Sequence, residues 1–483
     1  MTESSSILFE NGTVISYDDS SSSLKVLPKA SLLVTGDRIA SIFPASEKPS
    51  LPENTETVDC TARIISPGFV NTHNHGWQTA FKTLGANTTL AQYIFRYGEY
   101  ASFGSLDAED VYVGHLLGMY ESLNAGVTTI VDHAHHTWDK ETTLAGLDAS
   151  IDSGARVYWC DAFHNLEGGW SFQEQLDYWE ELTKHARLRG SATEVGIGYD
   201  SFGMGSEEEV KKVVELAKAH NAIVTTHHLG GPLVIDNGPA VLHKAGILDS
   251  SCPVILSHAS FFANPDEEIA LLRKHNQHTS ITPESECHYG HDHALSHTYL
   301  DQCSVGVDTH FTFSADLVTQ TRLFLQTTRR GEYRKALDRG EMPRTQPFDV
   351  EQAFILATKK GGDAVRRADV GVLKEGAKAD VVVFEGESPG MLGWRDAVAA
   401  VLLHSNVGDV RDVLVDGRWR KRGGRLVDPV AGGRTYEELR ETFLRTKGRI
   451  QDLWIGRELP KLEGKFFGGS DYGDTETVRV VKK

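Results

Sequence analysis

An α/β fold built on a (β/α)8 TIM barrel is what this sequence predicts, and three observations predict it. Between residues 65 and 308 eight short apolar segments alternate with helical stretches, the pattern of βαβ units and a parallel sheet. Their span is close to the about 250 residues of such a barrel. The first segment ends in histidines, where an open doubly wound sheet would carry a glycine-rich phosphate turn.

The eight strands are expected at residues 65–75, 127–132, 156–161, 194–199, 222–228, 253–258, 279–283 and 305–308. Helical periodicity is clearest at 207–220 and 265–274, between strands, and again at 436–454, ahead of a polar tail. Two β-rich segments bracket this middle. In the first, strands at 7–9 and 13–16 flank Asn11-Gly12, read as a hairpin turn, and strands at 31–34 and 39–42 flank Gly36-Asp37. Ser20 to Ser23 reads as a solvated loop. In the second, strands fall at 379–385, 410–415 and 418–422, with Asp416-Gly417 as the turn.

Composition narrows the function. The 483 residues carry 67 acidic against 49 basic side chains, a formal net charge of -18, the wrong sign for holding nucleic acid by phosphate neutralisation. Apolar stretches such as 397–403 fall far short of the about 18 residues of a membrane span, and the N-terminus lacks a basic n-region and an apolar h-region. A cytoplasmic protein with no membrane partner is expected. Five scattered cysteines without CxxC spacing argue for reduced thiols. The 21 histidines stand out because they cluster.

The first barrel strand closes on Asn71-Thr72-His73-Asn74-His75, and residues i and i+2 of a strand share a face, so both imidazoles can reach one point. Barrel active sites are built at the C-terminal strand ends, where this pair sits. Three further predicted strands end in suitable groups: His228, His258 and Asp308. Neutral imidazoles with one carboxylate and an open position make a catalytic site for zinc or a similar divalent ion. The fourth strand ends without the lysine that could bridge a second ion, which favours a single metal.

These residues, taken with AGVTTIVD at 125–132, ATKKGGDA at 357–364, VGVLKEGAKADVVVF at 370–384 and VRDVLVDGRWRKRGGRLV at 410–427, resemble the amidohydrolase superfamily, in its chlorohydrolase and cytosine/guanine-deaminase-like branch. The resemblance implies that the flanking segments form one small composite β-sandwich. The organisation is then residues 1–66 and 367–430 for the sandwich, 67–366 for the barrel and 431–483 for a C-terminal helix and tail. It implies one divalent ion, zinc first and iron second, on His73, His75, His228 and Asp308, with His258 beside the bound water. Of the pair His227-His228, whose side chains point to opposite sides, His228 is preferred because an apolar residue follows it, as in the family's pattern.

On that resemblance Asp308 accepts a proton from the attacking water and His258 stabilises the oxyanion, while a family glutamate three residues after the strand-five histidine protonates the leaving group. Here that position is Gly231. A replacement acid is sought in the seventh strand, where Glu284 and Glu286 would share a face if the strand continues through them. Substrate contacts are expected from Trp77, Gln78 and Tyr93 after the first strand, His133 and His135 after the second, and His288 and His291 after the seventh. The expected activity is hydrolysis at a C–N bond of a small cyclic substrate, foremost deamination of an amino-heterocycle. Amide, ester or carbon–halogen hydrolysis is the alternative, and a non-catalytic scaffold the reading outside the enzyme class. A homo-oligomer is permitted by the acidic surface.

Overall fold

The computed structural model describes residues 6–47, 49–293, 295–427 and 431–480. Eight parallel strands form the barrel: β6 (Phe69–Asn74), β7 (Val127–Ala134), β8 (Arg156–Phe163), β9 (Glu194–Tyr199), β10 (Val224–His228), β11 (Val254–His258), β12 (His278–Ile281) and β13 (Cys303–Val305). The ring closes where Asn74 bridges Asp308 and the Val307 and Asp308 amides donate to the His73 carbonyl at 3.1 and 3.0 Å. Closure thus sets the last predicted ligand directly against the first two.

A second, nine-stranded sheet draws on both ends of the chain. Its early strands are β1 (Ser6–Asp18), β2 (Ser23–Thr35), β3 (Arg38–Pro44), β4 (Glu56–Asp59) and β5 (Ile64–Pro67), and its late ones β14 (Val381–Phe384), β15 (Val410–Val415), β16 (Arg418–Arg422) and β17 (Arg425–Leu426). The sheet curls over, for Phe9 on β1 meets Trp419 on β16 edge to face at 5.7 Å, and Trp419 Nε1 donates to Glu56 beside it. Ile7, Phe9, Leu32, Val34, Val381, Val383 and Leu414 fill the enclosed core. The predicted strand at 65–75 is divided at Gly68, whose absent side chain leaves room for Thr128 at 2.0 Å, so β5 serves this sheet and β6 the barrel. Across the seam Arg156 on β8 makes two hydrogen bonds to Asp380 and a third to Asp416, all from a buried guanidinium.

Local signals account for most helices. Glu207–His220 opens with a Ser206/Glu209 capping box and ends on left-handed Asn221, while Pro265–His275 places proline in the first turn and basic residues in the last. One turn assignment is corrected: Asn11-Gly12 is a bulge inside the continuous strand β1, with Asn11 at φ 63°, and glycine fits there because a Cβ would press on Ile65 and Cys60. The helix Tyr436–Ile455 packs on the barrel, and beyond it the short strands β18 (Lys465–Phe466) and β19 (Ser470–Asp471) pair with each other. No helix among the described residues is long and apolar enough to cross a membrane.

Candidate metal centre and its cavity

The strand ends of the barrel bring His73, His75, His227 and Asp308 together. Nε2 of His75 lies 3.2 Å from Nε2 of His227, and Oδ1 of Asp308 lies 3.5 and 3.4 Å from Nε2 of His73 and His75. His75 donates from Nδ1 to the His133 carbonyl at 2.8 Å, and His227 from Nδ1 to Asp200 at 2.8 Å, so in the neutral rings both Nε2 atoms carry lone pairs. His73 holds Ser257 at Nδ1, and its buried Nε2 has no hydrogen-bond partner among the described residues. Lone pairs facing each other at such distances repel unless a proton or a metal cation lies between them. Donors 3.2 to 3.5 Å apart suit a common centre at the about 2.0–2.1 Å of zinc bonds to nitrogen and oxygen. The donor set therefore fits a divalent ion.

His228 is not in this set, which reverses the facing inferred from sequence. Its ring stacks on Phe262 at 5.6 Å and its Nε2 bonds the Phe261 carbonyl, on the helix side of the barrel wall. The lumen face of β10 is Thr225 and His227, and Thr225 bonds His133 across the lumen. Parallel barrel strands are buried on both faces, so composition does not distinguish them.

Strict alternation would turn His258 outward as well, since it pairs with His228 in register. Its backbone is left-handed, at φ 69°, and this swings the ring back to 5.1 Å from His73. Asp308, at φ 75°, is held the same way. Such strain in non-glycine residues concentrates at functional sites. Thr282 donates to Glu286 and lies 2.8 Å from Nδ1 of His258, which therefore carries the proton and leaves Nε2 free as an acceptor.

Burial keeps His73, His75, His135 and His258 well below the usual histidine range, hence neutral. Burial alone would lift Asp308, yet the imidazoles of His258 and His75 and the Ser285 hydroxyl hold it below the ordinary carboxylate value. Burial also opposes the charges of Asp200 and His227, but their contact prevails: Asp200 is held well below the carboxylate range and His227 is raised. Asp200, which sequence reasoning passed over, thus fixes the ring of His227 and also lies 3.3 Å from Nε2 of His133.

Above this floor opens a cavity of about 650 Å³. Tyr93, Tyr289, Leu229, Val234 and Ile235 wall it together with Phe467 from the C-terminal tail, and no lysine or arginine lines it among the described residues. Of the expected substrate contacts, Tyr93, His135 and His291 reach this lining. Trp77 stands behind, donating to Nδ1 of His135 at 2.9 Å, and Gln78 accepts from Tyr93 at 3.0 Å. His133 lies beneath the floor, and His288 packs on Phe313 away from the cavity.

The strand-seven carboxylates are corrected too. Residues Pro283–Tyr289 form a helix, so Glu284 and Glu286 do not share a face. Glu284 takes a hydrogen bond from Gln320, and Glu286 is wholly buried against His293 at 2.8 Å. Proline in the first turn with acidic residues around it was the signal for that helix. With His227 as the strand's lumen histidine, the position three residues on becomes Gly230, again without a carboxylate.

A parallel barrel carrying imidazoles and one aspartate at its strand ends defines the class of metal-dependent hydrolases. Residues 64–420 match the model of the amidohydrolase family, and the chain belongs to that family. It is 25% identical over 426 residues to a 5-methylthioadenosine/S-adenosylhomocysteine deaminase of Thermococcus kodakarensis, an alignment spanning 86% of this chain and 93% of that protein. In fold it is similar to an adenosine deaminase from Xanthomonas campestris with bound zinc, at 17% identity and a TM-score of 0.77, covering 92% of this chain and 98% of the other. It is likewise similar to the zinc complex of atrazine chlorohydrolase from Arthrobacter aurescens, at 18% identity and a TM-score of 0.77, covering 91% and 100%.

Proposed function

We propose that this chain is a hydrolase that uses one divalent ion, zinc before iron, to replace the amino group of a neutral amino-heterocycle by oxygen. The observation that carries the reading is the convergence of three lone-pair nitrogens and the Asp308 carboxylate on the floor of an apolar cavity. An ion held by His73, His75, His227 and Asp308 would supply Lewis acidity and lower the pKa of a water. Asp308 accepts the proton lost by the attacking water. His258, with its Nδ1 proton directed at Thr282, offers Nε2 as a second acceptor and, once protonated, donates to the new oxygen. Trp77 fixes the proton of His135 on Nε2, so this neutral ring is a hydrogen-bond donor to a ring nitrogen or oxygen.

The walls narrow the substrate. Tyr93 and Tyr289 offer aromatic faces to a planar ring, and Leu229, Val234, Ile235 and Phe467 offer an apolar seat to whatever the ring carries. Without a lining cation among the described residues, and with Glu99 and Asp200 present, a phosphate or carboxylate arm would be desolvated without a partner. The relative is named for 5-methylthioadenosine, an aminopurine nucleoside with a neutral thioether arm, and for S-adenosylhomocysteine, whose arm ends in an amino acid; the name supports an aminopurine, and the apolar lining favours the neutral arm of the first.

The test is ammonia release by zinc-loaded protein from adenosine, 5-methylthioadenosine, an adenosine monophosphate and amino-triazines. Turnover is expected with the uncharged compounds and at least about 10²-fold less with the phosphate, from the cost of one unpaired buried charge. A second reading, release of halide or another group that departs without a proton, is favoured by the glycine at position 230. Chloride release from a chlorotriazine with no ammonia from any amine would establish it.

A further inference from the structure

An amine departs as ammonia and needs a proton, so a deaminase of this geometry requires an acid within its cavity. Position 230 cannot carry one. Gly230 has φ 66°, and a side chain there would meet the Phe261 carbonyl at 2.2 Å. That carbonyl is fixed, because the Phe261 amide donates to Leu229 and the Leu229 and Gly230 amides both donate to Ile235.

Among the described residues three carboxylates line the cavity: Asp308, Asp200 and Glu99. Asp308 is engaged by the imidazoles and Ser285. Both oxygens of Asp200 are committed, Oδ1 to the His227 amide at 2.7 Å and Oδ2 to the His227 ring at 2.8 Å. The lining histidines are engaged elsewhere: His75 and His227 belong to the floor with Nδ1 committed to the His133 carbonyl and to Asp200, His135 is held by Trp77, His291 by Ser260, and His258 faces the new oxygen, while burial pushes the phenols of Tyr93, Tyr100 and Tyr289 upward.

We propose, resting on the deaminase reading above, that Glu99 is the acid that protonates the leaving nitrogen. It stands on the loop that follows β6, at the start of the short helix Glu99–Ser102, and its backbone is anchored: its carbonyl accepts from Trp138 Nε1 at 3.1 Å and from the Phe103 amide at 3.0 Å. The carboxylate has no partner from another side chain among the described residues and lines the same cavity as His227 and Asp308. Desolvation at the cavity wall, where the residue keeps partial exposure, opposed by its own backbone N–H and reinforced by the charge of Asp200, lifts it to about 7, where a carboxylic acid exists at neutral pH and still gives up its proton. In the step itself the C–N bond breaks with its electron pair passing to nitrogen, and that nitrogen takes the proton of Glu99 and leaves as ammonia. The proton that Asp308 took from the attacking water returns to Glu99 through solvent, so that water and amine become hydroxylated ring and ammonia and both carboxyl groups are restored.

The experiment compares wild type, Glu99→Gln and Glu99→Asp as zinc-loaded full chains, on an amino substrate and on its chloro analogue, whose halide leaves unprotonated. Glu99→Gln is expected to lower kcat for ammonia release by about 10²-fold or more, and chloride release by at most a few-fold, with zinc content unchanged. The decline in wild-type kcat as pH rises past about 7 should vanish in Glu99→Gln, and Glu99→Asp should restore part of the rate. Ammonia release within about threefold of wild type, or equal losses for both leaving groups, overturns the proposal while leaving the deaminase reading intact. If wild type releases no ammonia from any amine, that reading fails. Infrared titration then decides on Glu99 itself: a carboxyl band titrating near neutrality and absent from Glu99→Gln is expected, and a Glu99 that titrates in the ordinary glutamate range overturns the proposal.

Discussion

His75 and His227 face each other Nε2 to Nε2 at 3.2 Å, each with its Nδ1 proton committed elsewhere, to the His133 carbonyl and to Asp200. In the neutral rings neither nitrogen can donate to the other. This opposed pair, completed by His73 and Asp308, is the basis for reading the barrel mouth as a metal centre, and it makes Asp200 as consequential as the donors themselves.

Asp200→Asn keeps the shape of the side chain but removes the charge that orients the His227 ring and favours its Nδ1–H. Zinc affinity should fall by about 10–100-fold, the usual effect of losing such a partner. Competition with a fluorescent chelator reads this directly. Wild-type affinity in Asp200→Asn would show that His227 needs no support.

Phe467 reaches the cavity from the tail between β18 and β19 and packs on Phe95 at 5.7 Å. It is half-exposed, so truncation removes about 1 kcal/mol of apolar contact, or roughly fivefold. Phe467→Ala should raise KM by that factor with kcat unchanged, the pattern of uniform binding. A loss confined to kcat would place Phe467 in the chemistry instead.

Glu286 and His293 form a buried pair beneath His258. Burial raises Glu286, whereas for His293 burial pulls down and the neighbouring carboxylate outweighs it, so the net shift is again upward. A group raised on folding adds stability that is full below its unfolded pKa and is lost as pH rises through the folded one. Wild type should therefore lose stability between about pH 5 and 8, the span above the unfolded glutamate and histidine values. Glu286→Gln should flatten that decline and lower kcat by about tenfold through a displaced His258, short of the effect of losing an acid. Denaturant midpoints across this range check the first part, and a decline of unchanged slope in the variant refutes it.

Arg156 ties the barrel to the curled sheet through Asp380 and Asp416. Arg156→Ala leaves Asp380 buried without a counter-charge, holding only the Asp416 amide, which should cost about 3–5 kcal/mol in chemical denaturation. A cost below about 1 kcal/mol, the value of a surface pair, would mean that water reaches the seam.

The barrel was legible because its strands and capped helices announce themselves locally, as Glu207–His220 does with Ser206 and Glu209. His73, His75 and Asp308 were legible as strand-end groups. The choice between His227 and His228 was not, since both faces of β10 are packed and the residue that follows carries no information on facing. His258 reaches the lumen only through a left-handed turn that alternation does not foresee. Glu99 and Phe467 belong to no periodic pattern, and their role follows from chain crossings that bring residue 99 and residue 467 to one cavity.

The most direct test of the central claim is the zinc content of the purified full chain beside His227→Ala and His228→Ala, measured by mass spectrometry after dialysis against trace chelator. One ion per wild-type chain, retained in His228→Ala and lost from His227→Ala, is the predicted result. Retention in His227→Ala with loss from His228→Ala would contradict the account and return the site to the opposite face of β10.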